Sequence, residues 1–362
     1  VPHPVNREKG IERYRSLLTP EDYKIRLASG ETDGLAPPFK LPEGPPPVIP
    51  VILKKREDMT ADTVKFELAS ANDAALPQWD AGAHVDVVIA PEYLRQYSLA
   101  GDPADSSRYV LGVQREPQGR GGSILMHRAF REGRRVFISP PRNHFPLEET
   151  ATRTIMLAGG IGVTPMITMA HRLHALGRDF ELHYSNRRRA DAGFLADLAA
   201  VSWADHVQLY FTDEATRADL TKVIPPYAPG FHLYTCGSAR YMDAVFAEGT
   251  AKGWPEEALH KEYFSVPEPP DYVNEPFVLK LAKSGRTFDI PPDKRATDVL
   301  IEAGINIDMK CSDGICGVCA VPILAGEIEH RDHVLSAKER QRKIILCCSR
   351  AKSAGGEVVV DV

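Results

Sequence analysis

The chain has 362 residues, 43% of them hydrophobic, with 44 Lys and Arg against 49 Asp and Glu for a formal net charge of −5. That length holds two to four domains of ordinary size, and the acidic balance speaks against nucleic acid as a partner and against general attraction to a membrane surface. With six cysteines that form no disulfide framework, no signal peptide and no run of 18 apolar residues, the chain is expected to be soluble and cytoplasmic, with no membrane partner.

Residues 1–47 read as an N-terminal extension and Pro-rich linker. Glu12 to Pro20 suggests a short helix, and Pro37-Pro38, Gly44 to Pro47 and Pro50 make a stiff extended stretch before the first strand-like segment. Such an arm clamps domains, docks a partner or stays solvated. A start at Val1 rather than Met is what a processed or trimmed terminus leaves.

Strand-like segments at Thr63–Leu68, His84–Ile89 and Tyr109–Gln114 predict an antiparallel β-barrel over 48–150. It carries Arg95-Gln96-Tyr97-Ser98 and later Gly119-Arg120-Gly121-Gly122-Ser123, ahead of a helix from Ile124 to Phe130. An aromatic ring and a hydroxyl beside an arginine can cover an isoalloxazine, bond its edge and hold a phosphate. Glycines at a helix start let backbone N–H groups reach that phosphate. The first motif alone is short enough to be a strand end with a surface arginine; the pair together points to a flavin.

Near residue 150 strands begin to alternate with helices, which predicts an α/β parallel-sheet domain over 151–272. A strand at Thr154–Leu157 runs into Ala158-Gly159-Gly160-Ile161-Gly162-Val163-Thr164-Pro165 and a helix from Met166 to about Leu176. Thr164 suits a helix cap and Pro165 the first helical position, so free N–H groups and the helix dipole would face a pyrophosphate. Close strand–helix packing would also select these glycines. Further strands are expected at Phe180–Tyr184, Val207–Phe211 and Phe231–Thr235, the last leading into Cys236-Gly237-Ser238 and a helix from Tyr241 to Glu248. Cys236 would lie at the carboxyl edge of the sheet, where ligands bind, or be a small buried residue. Arg187, in Arg187-Arg188-Arg189 after the second strand, can receive the 2′-phosphate of NADPH, bind an adenosine ribose or sit in a solvated loop.

After the break at Pro267–Tyr272, a strand at Phe277–Leu281 opens a domain over 273–362. There Cys311, Cys316 and Cys319 stand as C-x4-C-x2-C, with Cys347 and Cys348 further on. This is plant-type [2Fe-2S] spacing, whereas a zinc knuckle pairs its cysteines in two short hooks. The cluster needs four thiolates, so Cys347 or Cys348 completes the set. Gly314 and Gly317 let the loop approach the sulfides closely.

In this order and with these motifs, residues 48–362 resemble the phthalate dioxygenase reductase family. The resemblance implies a multidomain fold: an antiparallel β-barrel flavin domain, an α/β parallel-sheet nicotinamide domain and an α+β β-grasp ferredoxin domain. It implies FMN, NADH as donor and a terminal Rieske-type oxygenase as acceptor. Carried over, Arg95, Tyr97, Ser98, Gly121, Gly122 and Ser123 hold the flavin. Gly159, Gly160, Gly162, Thr164 and Pro165 cradle the NADH pyrophosphate, and Cys236 and Gly237 sit beside the nicotinamide. Glu262-Tyr263-Phe264 matches the family's E-x-F strand beside the flavin, although Phe264 equally suits a core. Leu346-Cys347-Cys348-Ser349-Arg350 matches an ending in which the first cysteine binds iron, which makes Cys347 the ligand and Cys348 an apolar core residue. The chain departs from the family at Ser238, where a proline is common and where serine would loosen the loop, and at Asp313, in place of a common Glu in the loop expected at the electron exit face. Another acceptor (a haem-thiolate monooxygenase, a diiron oxygenase or a reductive dehalogenase) or an electron-transfer or redox-sensing module without turnover would use the same motifs.

Overall fold

The computed structural model describes residues 49–72, 74–90, 93–117, 121–264, 272–305, 307–308, 314–315 and 317–362. The arm with its expected helix, Gly119, Arg120, residues 265–271, Cys311, Asp313 and Cys316 lie outside the described residues. Two compact units emerge, one ending at Lys261 and one spanning Glu262–Val362.

The first unit opens with β1 (Ile49–Asp58), β2 (Thr63–Ser70), β3 (His84–Ala90), β4 (Tyr93–Ser98), β5 (Arg108–Gln114) and β6 (Arg135–Ile138), in the order β4-β3-β6-β1-β2-β5. The pairings are antiparallel, and an isolated bridge between Leu99 and Leu111 links the two ends of the sheet into a nearly closed barrel. Period-two alternation buries Val51 and Leu53, Val64, Phe66 and Leu68, and Val85 and Val87 in one core. Strands β1 and β6 were not expected from sequence. Pro50 belongs to β1 and not to a linker; as the second residue of a strand it removes little from the ladder.

Helix α1 (Gly122–Ala129) follows β5 and starts two residues before the expected Ile124. The parallel sheet then comprises β7 (Arg153–Gly159), β8 (Asp179–Asn186), β9 (Val207–Phe211), β10 (Phe231–Cys236) and β11 (Leu259–Glu262), in the order β11-β10-β7-β8-β9. Its helices are α2 (Val163–Ala175), α3 (Leu195–Ala200), α4 (Leu220–Val223) and α5 (Ala239–Ala251). Strand order reverses between β7 and β10, which opens a crevice at their carboxyl ends. Barrel and sheet meet at several points. The Gly82 N–H donates to Thr168 Oγ1 (3.0 Å), Lys65 Nζ reaches Asp197 Oδ1 (2.6 Å), and a Cβ on Gly112 would lie 2.6 Å from the Phe194 ring.

In the second unit β12 (Phe277–Leu281), β13 (Thr287–Ile290), β14 (Ala320–Ala325), β16 (Lys343–Ile345) and β18 (Glu357–Val360) form a mixed sheet, β13-β12-β18-β14-β16. Strands β15 (Ile328–Glu329) and β17 (Arg350–Ala351) pair separately. The central β12–β18 pair is parallel and its flanking pairs are antiparallel; with α6 (Ala296–Glu302) and α7 (Ala337–Arg340) this is the expected α+β ferredoxin fold. Among the described residues no helix is long and apolar enough to cross a membrane.

Candidate functional site

On the barrel, β4 and the start of α1 come together. A Cβ on Gly122 would lie 2.9 Å from Arg95 Cγ, so glycine lets the arginine stem cross the helix start. Gly121 takes φ +89° as the residue before the helix, with no side chain capping it, and the first N–H groups of α1 are therefore available to an anion. Ser123 is already engaged, its Oγ accepting the Glu116 N–H at 3.0 Å. Tyr97 lies partly against the barrel core, and burial pushes its phenol well up while the Arg95 charge opposes the rise. Strand alternation puts Ser98 on the other face, where it is 6% exposed and pairs across the ladder with His84. Arg95 and the helix start thus converge, while Ser98 does not share their face.

At the crevice, Gly159, Gly160, Gly162, Cys236 and Gly237 are brought together. Cys236 pairs with Ala158 across β7–β10. A Cβ on Gly162 would fall 2.2 Å from the Cys236 carbonyl oxygen, so glycine is required there by packing alone; one on Gly237 would make a tight contact 3.2 Å from Gly159 Cα. Gly160 alone of the turn adopts positive φ (+57°). Thr164 does not cap the helix. A 3-10 turn at Gly160–Gly162 runs straight into α2, whose cap position is Gly162; Thr164 is its second residue and donates back to the Ile161 carbonyl at 2.9 Å. Pro165 is accordingly third, not first. Cys236 is wholly buried in the α/β core, its thiol among apolar neighbours. Ser238 does not loosen the loop: its side chain accepts the Tyr241 N–H (3.4 Å) and caps α5, which begins at Ala239.

Three polar groups that sequence reasoning missed gather at this edge. Ser185 and Asn186 end β8, with Asn186 Oδ1 4.0 Å from where a Gly160 Cβ would be, and the Tyr241 ring packs on Gly159 and Gly237. Among the described residues, Ser185 Oγ, Asn186 Nδ2 and Tyr241 Oη are buried atoms that close no hydrogen bond of good geometry. Burial pushes the Tyr241 phenol up to about 12, the nearby Ser185 hydroxyl pulling slightly the other way. Orphaned polar atoms around a tight turn suit a polar ligand. The signal in the sequence was the position of Ser185-Asn186 at a parallel strand's end. Of the arginines after β8, Arg188 is paired with Asp191 and Arg189 with Glu214, whereas Arg187 is exposed and forms no ion pair among the described residues.

Strand β11 ends at Glu262, so the expected strand does not include Tyr263 and Phe264; Phe264 is 41% exposed and is not core. Cys319 and Cys347 are each 2% exposed and share one core. The Leu346 N–H donates to the Cys319 carbonyl (3.3 Å), which brings Cys347 beside Cys319. Cys348 is only partly buried, and its Sγ lies 2.7 Å from where a Cβ on Gly314 (φ +74°) would be. It packs against the same core and also abuts Gly314. Two buried thiols beside a loop with left-handed glycines fit an iron–sulfur donor set.

A family model described as a 2Fe-2S iron-sulfur cluster binding domain matches residues 279–352, and one described as the N-terminal domain of dimethylamine monooxygenase subunit DmmA-like proteins matches 136–259. The chain is 38% identical over 311 residues to a vanillate O-demethylase oxidoreductase of Pseudomonas sp. (strain HR199 / DSM 7063), covering 85% of this chain and 98% of that one. It is similar to a solved phthalate dioxygenase reductase, described as a modular structure for electron transfer from pyridine nucleotides to [2Fe-2S], with 36% identity, TM-score 0.62, and coverage of 87% and 98%. An intact type IV self-sufficient cytochrome P450 monooxygenase is 32% identical with TM-score 0.81 over 92% of this chain, which spans 44% of that longer protein.

Proposed function

Because the chain belongs to the phthalate dioxygenase reductase family, we propose that it is the NADH-dependent reductase component of an oxygenase system, passing electrons through FMN and a [2Fe-2S] cluster to a terminal Rieske-type oxygenase. More broadly, it is an electron-transfer oxidoreductase with a 2Fe-2S domain. The observation that carries the proposal is the joining, in one chain, of that domain to a barrel whose arginine meets a helix start and to a parallel sheet with a glycine turn at its switch point.

When bound, the flavin accepts a hydride and releases single electrons, and the cluster carries them singly. The chain's own part is placement. Arg95 and the first N–H groups of α1 hold the flavin phosphate, with Tyr97 beside the ring. The 159–165 turn and the polar groups of Ser185, Asn186 and Tyr241 receive the dinucleotide, and Gly237 forms the wall under the nicotinamide with the buried Cys236 behind it. Arg187 contacts the adenosine ribose. Cys311, Cys316, Cys319 and Cys347 bind iron.

The test is anaerobic addition of one equivalent of NADH, then of NADPH, to the protein while its visible spectrum is followed. Rapid flavin bleaching and then cluster bleaching, faster with NADH, is the expected result. Absence of bleaching with either donor overturns the proposal. The likeness to the P450 monooxygenase favours a second reading, a haem-thiolate acceptor; reduction of a Rieske oxygenase and of a P450 by the same preparation separates the two.

A further inference from the structure

Beside Gly314 lies a charged group that no motif indicated. Asp332 carries a carboxylate with no solvent exposure. Its Oδ1 accepts the backbone N–H groups of Val334 (3.2 Å) and Leu335 (2.8 Å). Among the described residues its Oδ2 closes no hydrogen bond and faces His330 Nδ1 at 3.6 Å and Arg340 Nε at 3.8 Å, while Arg340 Nη2 donates to the Asp332 carbonyl at 2.7 Å. The same segment presses on Gly314. The His333 N–H donates to the Gly314 carbonyl at 3.0 Å, and Asp332 Cα lies 3.3 Å from the place of a Cβ on Gly314.

Reduction of the cluster adds one electron and so one negative charge. A dry carboxylate beside Gly314 opposes that charge with little screening, whereas the Arg340 side chain, 37% exposed, is partly screened by water. We propose that Asp332 is a positioning residue of the electron-transfer site: it holds residues 330–335 against Gly314 and, balanced by Arg340, sets the reduction potential of the cluster. The proposal rests on the assignment of the cluster to Cys311, Cys316, Cys319 and Cys347.

The experiment is an EPR-monitored redox titration of the full-length holoprotein and its D332N, R340Q and R340K variants. Asn keeps the Oδ1 acceptor and removes the charge, so D332N raises the midpoint potential, while R340Q lowers it and R340K restores it. Potentials that stay at the parent value, or move in the same direction in D332N and R340Q, overturn the proposal. Should D332N fail to retain the cluster, the R340Q and R340K pair decides alone, since a purely structural role would not give a downward shift that a lysine reverses. A parent protein that shows no [2Fe-2S] signal when reduced sinks the cluster assignment; a normal signal with unmoved potentials sinks only the role of Asp332.

Discussion

His232 on β10 and His260 on β11 hold their ring nitrogens 2.9 Å apart, and Tyr234 stacks on His260 at 4.3 Å. Two imidazoles at that distance share one proton in a hydrogen bond, and a second proton meets both burial and like charge. Burial first, and then the His232 charge, bring His260 down to about 4, with Glu148 opposing. An unfolded histidine takes its proton near 6.5, so between pH 6.5 and about 4 the unfolded chain binds the proton that the folded one refuses. Stability is therefore present above 6.5 and declines as pH falls, by roughly 3 kcal/mol across that window. Urea unfolding at pH 7 and pH 4.5 should show the loss in the parent and a much smaller one in His260→Gln. None of this was legible in the sequence, where His232 and His260 stand 28 positions apart and only the pairing of β10 with β11 joins them. Arg95 was legible because its motif is contiguous; Ser185, Asn186 and Tyr241 were not, because they converge only when β8 and α5 flank the turn.

Single elements carry their own lessons. The strand–turn–helix at 153–175 was readable from an apolar run followed by clustered glycines, but its cap was misread. Thr164-Pro165 looks like a cap and first helical residue, yet the Thr164 methyl packs where Gly112 of the barrel has no side chain, and the helix starts earlier. Long-range packing overrode a local signal. In Gly162→Ala the new Cβ would meet the Cys236 carbonyl, a backbone group that cannot swing aside. Overpacking of this kind costs about 1–3 kcal/mol. A lower melting temperature together with weaker NADH binding is expected; an unchanged protein would show that the turn yields freely. At the tail the two adjacent cysteines should separate cleanly. Cys347→Ser should lose the cluster, and Cys348→Ser should keep most of it, as measured by iron and sulfide content. The strand at β1 escaped notice because Pro50 and its neighbours read as linker, although a proline at the start of a strand is well tolerated.

Across the whole molecule, barrel and parallel sheet behave as one unit because specific side chains cross between them. Lys65 is 7% exposed and lies between Asp197 (2.6 Å) on α3 and Glu57 (3.0 Å) on β1. Burial disfavours its charge, but the bonds to Asp197 and Glu57 prevail and hold the ammonium above its usual range. Lys65→Met should cost roughly 1–3 kcal/mol by leaving Asp197 without its cation and Glu57 with Lys55 alone (3.3 Å). Chemical denaturation followed by tryptophan fluorescence would report it as an earlier midpoint. The order of the three folds was visible in the sequence, since each has its own motif; the crossing contacts were not, since each joins residues far apart in the chain.

The contacts around the second unit bear on how such proteins could be recombined. Tyr263 packs against His333 with ring centroids 4.9 Å apart, Arg331 lies over the Tyr272 ring at 4.4 Å and bonds Asn274, and Arg350 bonds the Glu275 carbonyl at 2.9 Å. Both flanks of the proline-rich stretch thus lean on the ferredoxin fold. A chimera spliced at the prolines would strip that fold of Tyr263, whereas a junction placed directly after Lys261 would carry the aromatic brackets along with the iron–sulfur module as one transplantable piece.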